Sequence, residues 1–163
     1  MILIESWKKA IDNNKNAGAV LTDLSKAFDS LNHELLLAKL EAYGFDESSL
    51  NFVHSYLADR KQRTKVNNDF SSWATINAGV PQGSILGPLF FNIYMNDIFW
   101  FTPAVNIANY ADDSTPYTTS NDIETLLEIL QKNTEILMKW FNENYMKSNN
   151  DKCHLVISSS KEV

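Results

Sequence analysis

The possible folds of this chain are restricted above all by a pair of adjacent aspartates, Asp112 and Asp113. The pair lies between two segments of strand-like composition. Val105 and Ile107 lead into the pair, and Tyr117 follows it. Because neighbouring side chains of a strand point to opposite faces, two carboxylates stay together only at a tight turn. Asp favours hairpin turns for its own reasons, so an ordinary Asp-rich turn is one interpretation. The other is a site for a hard divalent cation such as Mg²⁺, which takes oxygen ligands.

A third carboxylate, Asp23, ends an earlier apolar run, AVLTD, at residues 19–23. If the strands lie side by side, their ends bring together the acids that a two-metal phosphoryl-transfer site needs. Between the two acidic segments, residues 79–88 read GVPQGSILGP. Glycine lets a backbone approach a ligand closely, and Gln82 offers both a donor and an acceptor. A plain loop entering a helix is the alternative interpretation of this segment.

Three ordered motifs resemble those of the reverse transcriptases, most closely those of the non-LTR retrotransposons. The motifs are Asp23 with Phe28, the GVPQGS of residues 79–84, and the YADD box of residues 110–113. The resemblance runs from about residue 17 to residue 157. It implies RNA-directed DNA polymerisation, in which a primer 3′-hydroxyl attacks the α-phosphate of a deoxynucleotide. The implied partners are an RNA template, a DNA primer and a dNTP.

The resemblance also implies roles for single residues. The catalytic and metal-binding set is Asp23, Asp112 and Asp113, holding two Mg²⁺ ions, with Mn²⁺ as an alternative metal. The substrate-binding set is Phe28, Gln82, Gly83, Tyr110 and Lys152. In the family an aromatic residue at the Phe28 position is a steric gate against ribonucleotides, and simple core packing is the alternative. Lys152 lies in a segment similar to the family's Asn-x-x-Lys, which implies a phosphate contact, and a plain surface lysine fits the sequence equally well.

The net charge of −6 is unusual for a polymerase, because affinity for nucleic acid comes largely from Lys and Arg. We therefore expect the basic segments of the polymerase to lie outside this chain. The fingers motifs and the thumb are expected to be absent from residues 1–163. Residues 1–163 are predicted to be a single, mainly palm, fragment of a reverse transcriptase domain. The one cysteine, Cys153, excludes an internal disulfide and a multi-cysteine zinc site.

One segment is basic although the net charge of the chain is negative. Residues 60–66 carry four positive charges in RKQRTKV and turn through Asn67 and Asn68 into residues 73–78, which predicts a small basic β-hairpin. A contact with the phosphate backbone of a nucleic acid is the favoured interpretation, and a solvated face is the alternative. The cations concerned are Arg60, Lys61, Arg63 and Lys65.

Outside this hairpin, the order of elements is strand, helices, strand, strand, helix, strand. It predicts an α+β fold, a palm-like split βαβ antiparallel sheet with helices packed on one face. Residues 85–99 are predicted to form one central buried helix, and Asn121 to cap a long helix that ends near Asn144. Polar residues interrupt the apolar stretch of residues 85–101, so we expect no membrane span.

Three rival functions are left open by the sequence. One is a palm remnant without catalysis, which at most binds nucleic acid. Another is a different metal-dependent phosphoryl enzyme on a similar sheet, such as a nucleotide cyclase, in which GVPQGS and Phe28 have no role. The third is a reverse transcriptase of the group II intron or bacterial type, which shares these motifs.

Overall fold

A computed structural model describes residues 2–110 and 113–159. This part of the chain divides into two compact units. One comprises the residues up to Ser25 and those from Asn96 onward, and the other is Lys26–Met95. The helices are α1 Ile2–Asp12, α2 His33–Ala42, α3 Glu47–Leu57, α4 Leu86–Met95, α5 Ile98–Phe101 and α6 Ile123–Glu143. The strands are β1 Asn16–Leu21, β2 Lys61–Gln62, β3 Lys65–Val66, β4 Asp69–Phe70, β5 Ala74–Thr75, β6 Asn106–Tyr110, β7 Asp113–Ser120 and β8 His154–Ser158.

The first unit is built on a four-stranded sheet in the order β6-β7-β1-β8, with every neighbouring pair antiparallel. Helix α6 packs on one face so closely that a Cβ on Gly18 of β1 would lie 2.7 Å from Leu130 Cδ1. The next residue, Ala19, points to the opposite face, where it lines a cavity with Trp7 of α1. The predicted α+β fold with an antiparallel palm-like sheet is confirmed, and α1 adds a helix on the second face.

The long helix α6 begins one residue later than the sequence predicts. Asp122, rather than Asn121, is its N-cap, and its carboxylate accepts a hydrogen bond of 2.8 Å from the backbone N–H of Thr125. Both residue types are good caps, so composition alone does not distinguish them. The buried side of the helix comprises Leu126, Leu130, Asn133, Leu137, Trp140 and Phe141.

The second unit contains α2, α3, α4 and the small strands. Asn32 and Asp46 cap α2 and α3, each accepting a hydrogen bond of 2.8 Å from a backbone N–H three residues on. The predicted hairpin is confirmed as two short ladders, β2 with β5 and β3 with β4. Asn67 takes a left-handed conformation, with φ of 54°, at the turn between β3 and β4. The core residues include Leu31, Leu36, Leu40, Leu57, Phe90, Phe91 and Tyr94.

The predicted single helix over residues 85–99 is wrong. The chain forms α4 and the short α5, separated by Asn96 and Asp97. Asn and Asp compete for backbone hydrogen bonds and so favour helix ends over helix interiors. Ile85, expected to begin the buried helix, is 94% exposed and precedes α4. Among the helices described, none combines the length and the apolar character needed to cross a membrane.

Candidate active site

Two of the three predicted catalytic aspartates lie at the ends of neighbouring strands. Thr22, just after β1, is bridged in antiparallel fashion to Ser114 of β7, and its buried hydroxyl donates a hydrogen bond to the Ser114 carbonyl. Asp23 follows Thr22 in the chain, and Asp113 precedes Ser114. The two aspartates therefore adjoin the same bridged pair, at the ends of neighbouring strands.

Lys152 is brought to the same place by the chain that precedes β8. Leu24 is bridged to Ser148, and the backbone N–H of Asn149 donates a hydrogen bond of 2.8 Å to the carbonyl of Asp23. These bonds hold residues 147–149 beside Asp23. Lys152 Nζ lies 3.3 Å from Asp23 Oδ2 in an ion pair, the lysine side chain being 64% and the aspartate side chain 27% exposed. The two residues, 129 positions apart in sequence, are thus in direct contact.

The YADD box is described in part. Asp112 lies outside the described residues, as does Ala111. Tyr110 ends β6 directly opposite Asp113 and is 84% exposed, so its ring is available to a ligand. Tyr110 and Asp113 border a largely apolar cavity of about 540 Å³, which is also lined by Leu3 and Trp7 of α1.

The carboxylates at these strand ends are donors of the type that suits a hard divalent cation. Asp23 and Asp113 offer carboxylate oxygens, the ligands that Mg²⁺ and Mn²⁺ prefer. In residues 2–110 and 113–159, no group of three or more His, Cys, Asp or Glu side chains is arranged to hold a metal. The fit to a metal therefore rests on the type of donor that these two residues supply.

Phe28, in the second unit, combines features of both of its sequence interpretations. Its ring stacks on that of Phe91, with centroids 4.3 Å apart and planes 23° apart, and Phe91 is fully buried. Phe28 itself is only half-buried, so part of its ring faces solvent. The contact with Phe91 fixes the ring, while the exposed part is left for a ligand.

The GVPQGS loop of residues 79–84 uses its two glycines differently. Gly79 has φ of +81°, and a Cβ there would lie 2.7 Å from Asp29 Cα, so this glycine is required by packing. Gly83 has φ of +82° and open space around it. The exposed Gln82 donates a hydrogen bond of 3.0 Å from Nε2 to Asp29 Oδ1. Ser84 ties the loop to α4, since its hydroxyl accepts a hydrogen bond of 2.9 Å from the Gly87 N–H.

A polar cavity of about 740 Å³ opens beside this loop. Gln82, Asp29, Lys26, Arg60 and Gln62 are among its lining residues. Sequence reasoning missed Asp29. The available signal was a second acid in DLSKAFD, but the long-range partner Gln82 is visible only in the fold.

The predicted basic residues of the hairpin do not act as one group. Arg60 lines the cavity just described, whereas Lys61 is exposed. Arg63 places its guanidinium carbon 3.9 Å from the ring centroid of Phe70 and 4.5 Å from that of Trp73. Lys65 Nζ lies 5.4 Å from the centroid of Phe70. Sequence reasoning missed both aromatic residues. The available signal was their position a few residues after the four cations.

A four-stranded antiparallel sheet with acidic residues at the ends of two adjacent strands defines a palm-like class of protein. Comparison with known families makes the assignment specific. The family model described as reverse transcriptase (RNA-dependent DNA polymerase) matches residues 3–163, and the chain belongs to this family. The predicted resemblance to the non-LTR type is confirmed. Reverse transcriptases are generally dependent on divalent metal ions.

Similar proteins come from mobile elements. The RNA-directed DNA polymerase from mobile element jockey of Drosophila melanogaster is 32% identical over 152 residues, which are 89% of this chain and 16% of that protein. The probable RNA-directed DNA polymerase from transposon BS of the same organism is 31% identical over 155 residues, covering 88% of this chain and 17% of that protein. The chain thus spans about one sixth of the length of these curated relatives.

Solved structures of similar fold include telomerases. Apo telomerase from Candida tropicalis, truncated from its C-terminal domain, matches 99% of this chain and 35% of its own, with a TM-score of 0.69 and 13% identity. Telomerase from Candida albicans in complex with an RNA fragment matches 98% of this chain and 31% of its own, with a TM-score of 0.69 and 14% identity. At this level of identity the likeness establishes the fold.

Proposed function

We propose that this chain supplies the catalytic palm of an RNA-directed DNA polymerase, which adds deoxynucleotides to a primer 3′-hydroxyl on an RNA template. The observation that supports this most strongly is the Thr22–Ser114 bridge, because Asp23 and Asp113 each adjoin one of its two residues. The chemistry forms a bond between the primer oxygen and the α-phosphorus. It breaks the bond between that phosphorus and pyrophosphate, and the hydroxyl proton leaves to solvent.

Asp23 and Asp113 are proposed to hold two Mg²⁺ ions, with Mn²⁺ as an alternative and Asp112 as the third ligand. When bound, such ions would lower the pKa of the attacking hydroxyl and neutralise charge on the triphosphate. The aspartates themselves contribute negative charge at the ends of β1 and β7. Catalysis of this kind depends on positioning and electrostatics, and no protein nucleophile takes part.

The other substrate roles remain proposals of the same kind. Lys152, in contact with Asp23, is proposed to contact a phosphate of the nucleotide. Tyr110, whose ring is largely exposed, is proposed to contact the substrate beside Asp113. Phe28 is proposed as the steric gate. Gln82 and Gly83 are proposed to line the pocket for template and nucleotide.

The test uses a relative that is about six times longer. The matching segment of the jockey polymerase is replaced by this chain, and primer extension on a primed RNA template is measured with Mg²⁺. We expect synthesis by the chimera and a loss on the order of a hundredfold or more in the Asp113→Asn chimera, because one preorganised charged group is removed. Glu128→Gln is the matched control, since it removes one negative charge from an exposed position on α6.

The outcomes separate the proposal from its main rival. Synthesis that survives Asp113→Asn would remove the carboxylate pair from the mechanism. A chimera that folds and binds the primed template but never extends it would identify this chain as a palm without catalysis.

A further inference from the structure

The basic hairpin carries two aromatic residues that are exposed to solvent. Phe70 is 51% and Trp73 is 59% exposed. The strands of the hairpin are exposed throughout, so the rings have no core of their own to enter. Large aromatic side chains held at a surface beside cations are typical of sites that bind nucleic acid.

Arg63 organises the two rings. Its guanidinium lies over both Phe70 and Trp73, at 3.9 and 4.5 Å from the ring centroids. Each of the two residues is more than half exposed despite this contact. A flat ligand therefore has room to stack on either ring, while Arg63 contributes a cation beside it.

The local charge complements a polyanion. Arg60, Lys61, Arg63 and Lys65 fall within residues 60–65 of a chain whose net charge is −6. Lys61 and Lys65 are exposed, and Lys65 lies 5.4 Å from the Phe70 centroid. Cations next to a stacked base are positioned to meet the phosphates that flank it.

We propose that Phe70 and Trp73, bridged by Arg63, form a stacking platform for unpaired bases of single-stranded RNA, with Lys61 and Lys65 contacting its phosphates. Paired bases stack on one another inside a duplex, so the platform selects single strands and tolerates any sequence. This inference deepens the proposed polymerase function. It rests on that function in one respect, namely that the bound single strand is the RNA template. Binding itself is measurable without synthesis.

The experiment is fluorescence anisotropy with a labelled 12-nucleotide oligo-uridine RNA and the 163-residue chain, repeated over a range of salt concentrations. We expect Trp73→Ala and Phe70→Ala each to weaken binding by about tenfold, as loss of one base–aromatic stack requires. Trp73→Phe should retain most of the affinity. Trp100→Ala is the matched control, because Trp100 is 80% exposed but lies in α5, outside the hairpin.

Two comparisons make the result specific to stacking. A blunt RNA duplex should bind more weakly and should not respond to Trp73→Ala. Lys61→Ala should weaken both ligands alike and lower the slope of log K against log salt by about one. Wild-type affinity in Trp73→Ala, equal losses for single strand and duplex, or no RNA binding even at low salt would each overturn the platform.

The inference and the proposed function fail separately. Glu128→Gln should bind the oligonucleotide as wild type does, since this exposed position on α6 lies outside the hairpin. Normal binding by Trp73→Ala together with an active chimera would reject the platform and keep the polymerase. Stacking-dependent binding together with an inactive chimera would reject the polymerase function and keep the RNA-binding platform.

Discussion

The ammonium nitrogen of Lys152 lies 3.3 Å from a carboxylate oxygen of Asp23, so the proposed metal ligand already faces a positive charge. The lysine is held there by the backbone pairing of residues 147–149 with the segment around Asp23. A cation bound at Asp23 must therefore compete with, or displace, this ammonium group. The consequence can be measured on the chain itself.

Replacing the lysine should strengthen metal binding. We expect Lys152→Gln to raise the affinity of the chain for Mg²⁺ by up to about fivefold, equivalent to the ~0–1 kcal/mol of an exposed ion pair. Isothermal titration calorimetry at low salt measures the effect. Lys147→Gln is the control, because Lys147 is exposed in the same segment. Weaker Mg²⁺ binding in Lys152→Gln would mean that the lysine supports the metal site instead of competing for it.

Divalent metal should stabilise the fold through the aspartate pair. A ligand at a hundred times its dissociation constant adds about 2.7 kcal/mol to the free energy of unfolding. We expect Mg²⁺ or Mn²⁺ to raise the melting temperature of the wild type and of Glu128→Gln but to have little effect on Asp113→Asn. Without metal, Asp113→Asn should melt at or above the wild-type temperature, because it removes one of the two like charges that adjoin the Thr22–Ser114 bridge. An equal metal effect in all three chains would contradict the site.

Phe28 should control the choice of sugar more than the stability of the fold. In the jockey chimera, we expect Phe28→Val to admit ribonucleotides, which lowers the ratio of kcat/KM for deoxy- over ribonucleotides. Because Phe28 is only half-buried, the loss in the free energy of unfolding should stay below the ~3–5 kcal/mol of a buried Phe→Ala change. Phe90→Val, at a buried ring outside the Phe28–Phe91 stack, is the control and should lose stability without changing that ratio. An unchanged ratio in Phe28→Val would assign the ring to core packing.

The two glycines of the GVPQGS loop should respond unequally to alanine. Both have positive φ, so either substitution costs roughly 1–2 kcal/mol of backbone strain. Gly79→Ala also forces its Cβ against the backbone of Asp29, which adds about 1–3 kcal/mol of overpacking. Urea unfolding should therefore rank wild type above Gly83→Ala and Gly83→Ala above Gly79→Ala. Equal losses would show that the close approach to Asp29 relaxes without cost.

The helix caps should make stability fall in acid. Hydrogen bonds from Thr125 hold the pKa of Asp122 below its ordinary value, and those from Ser49 do the same for Asp46. A carboxyl with a lowered folded-state pKa contributes stability above its unfolded pKa, and this is lost as the pH falls through the folded value. The urea midpoint should decline from about pH 4 downward. Asp122→Asn keeps a good cap but cannot titrate, so its decline should be shallower, and an identical decline would place the acid sensitivity elsewhere.

Features that depend on neighbouring residues could be predicted from the sequence alone. The order of the motifs around Asp23, residues 79–84 and Asp113 identified the family, which the comparison confirmed. Turn chemistry at Asn67 predicted the hairpin, and the cap signal at Asn121 predicted the start of α6 to within one residue. Such signals are readable because a cap or a turn is made by residues a few positions apart.

Contacts between side chains that are distant in sequence could not be predicted before the fold was known. The contact of Lys152 with Asp23 and that of Gln82 with Asp29 depend on pairings between segments far apart in sequence. The contacts of Arg63 with Phe70 and Trp73 depend on how the chain folds back through the hairpin. Long-range register is set by the summed burial and hydrogen bonding of the whole unit, so no local pattern records it.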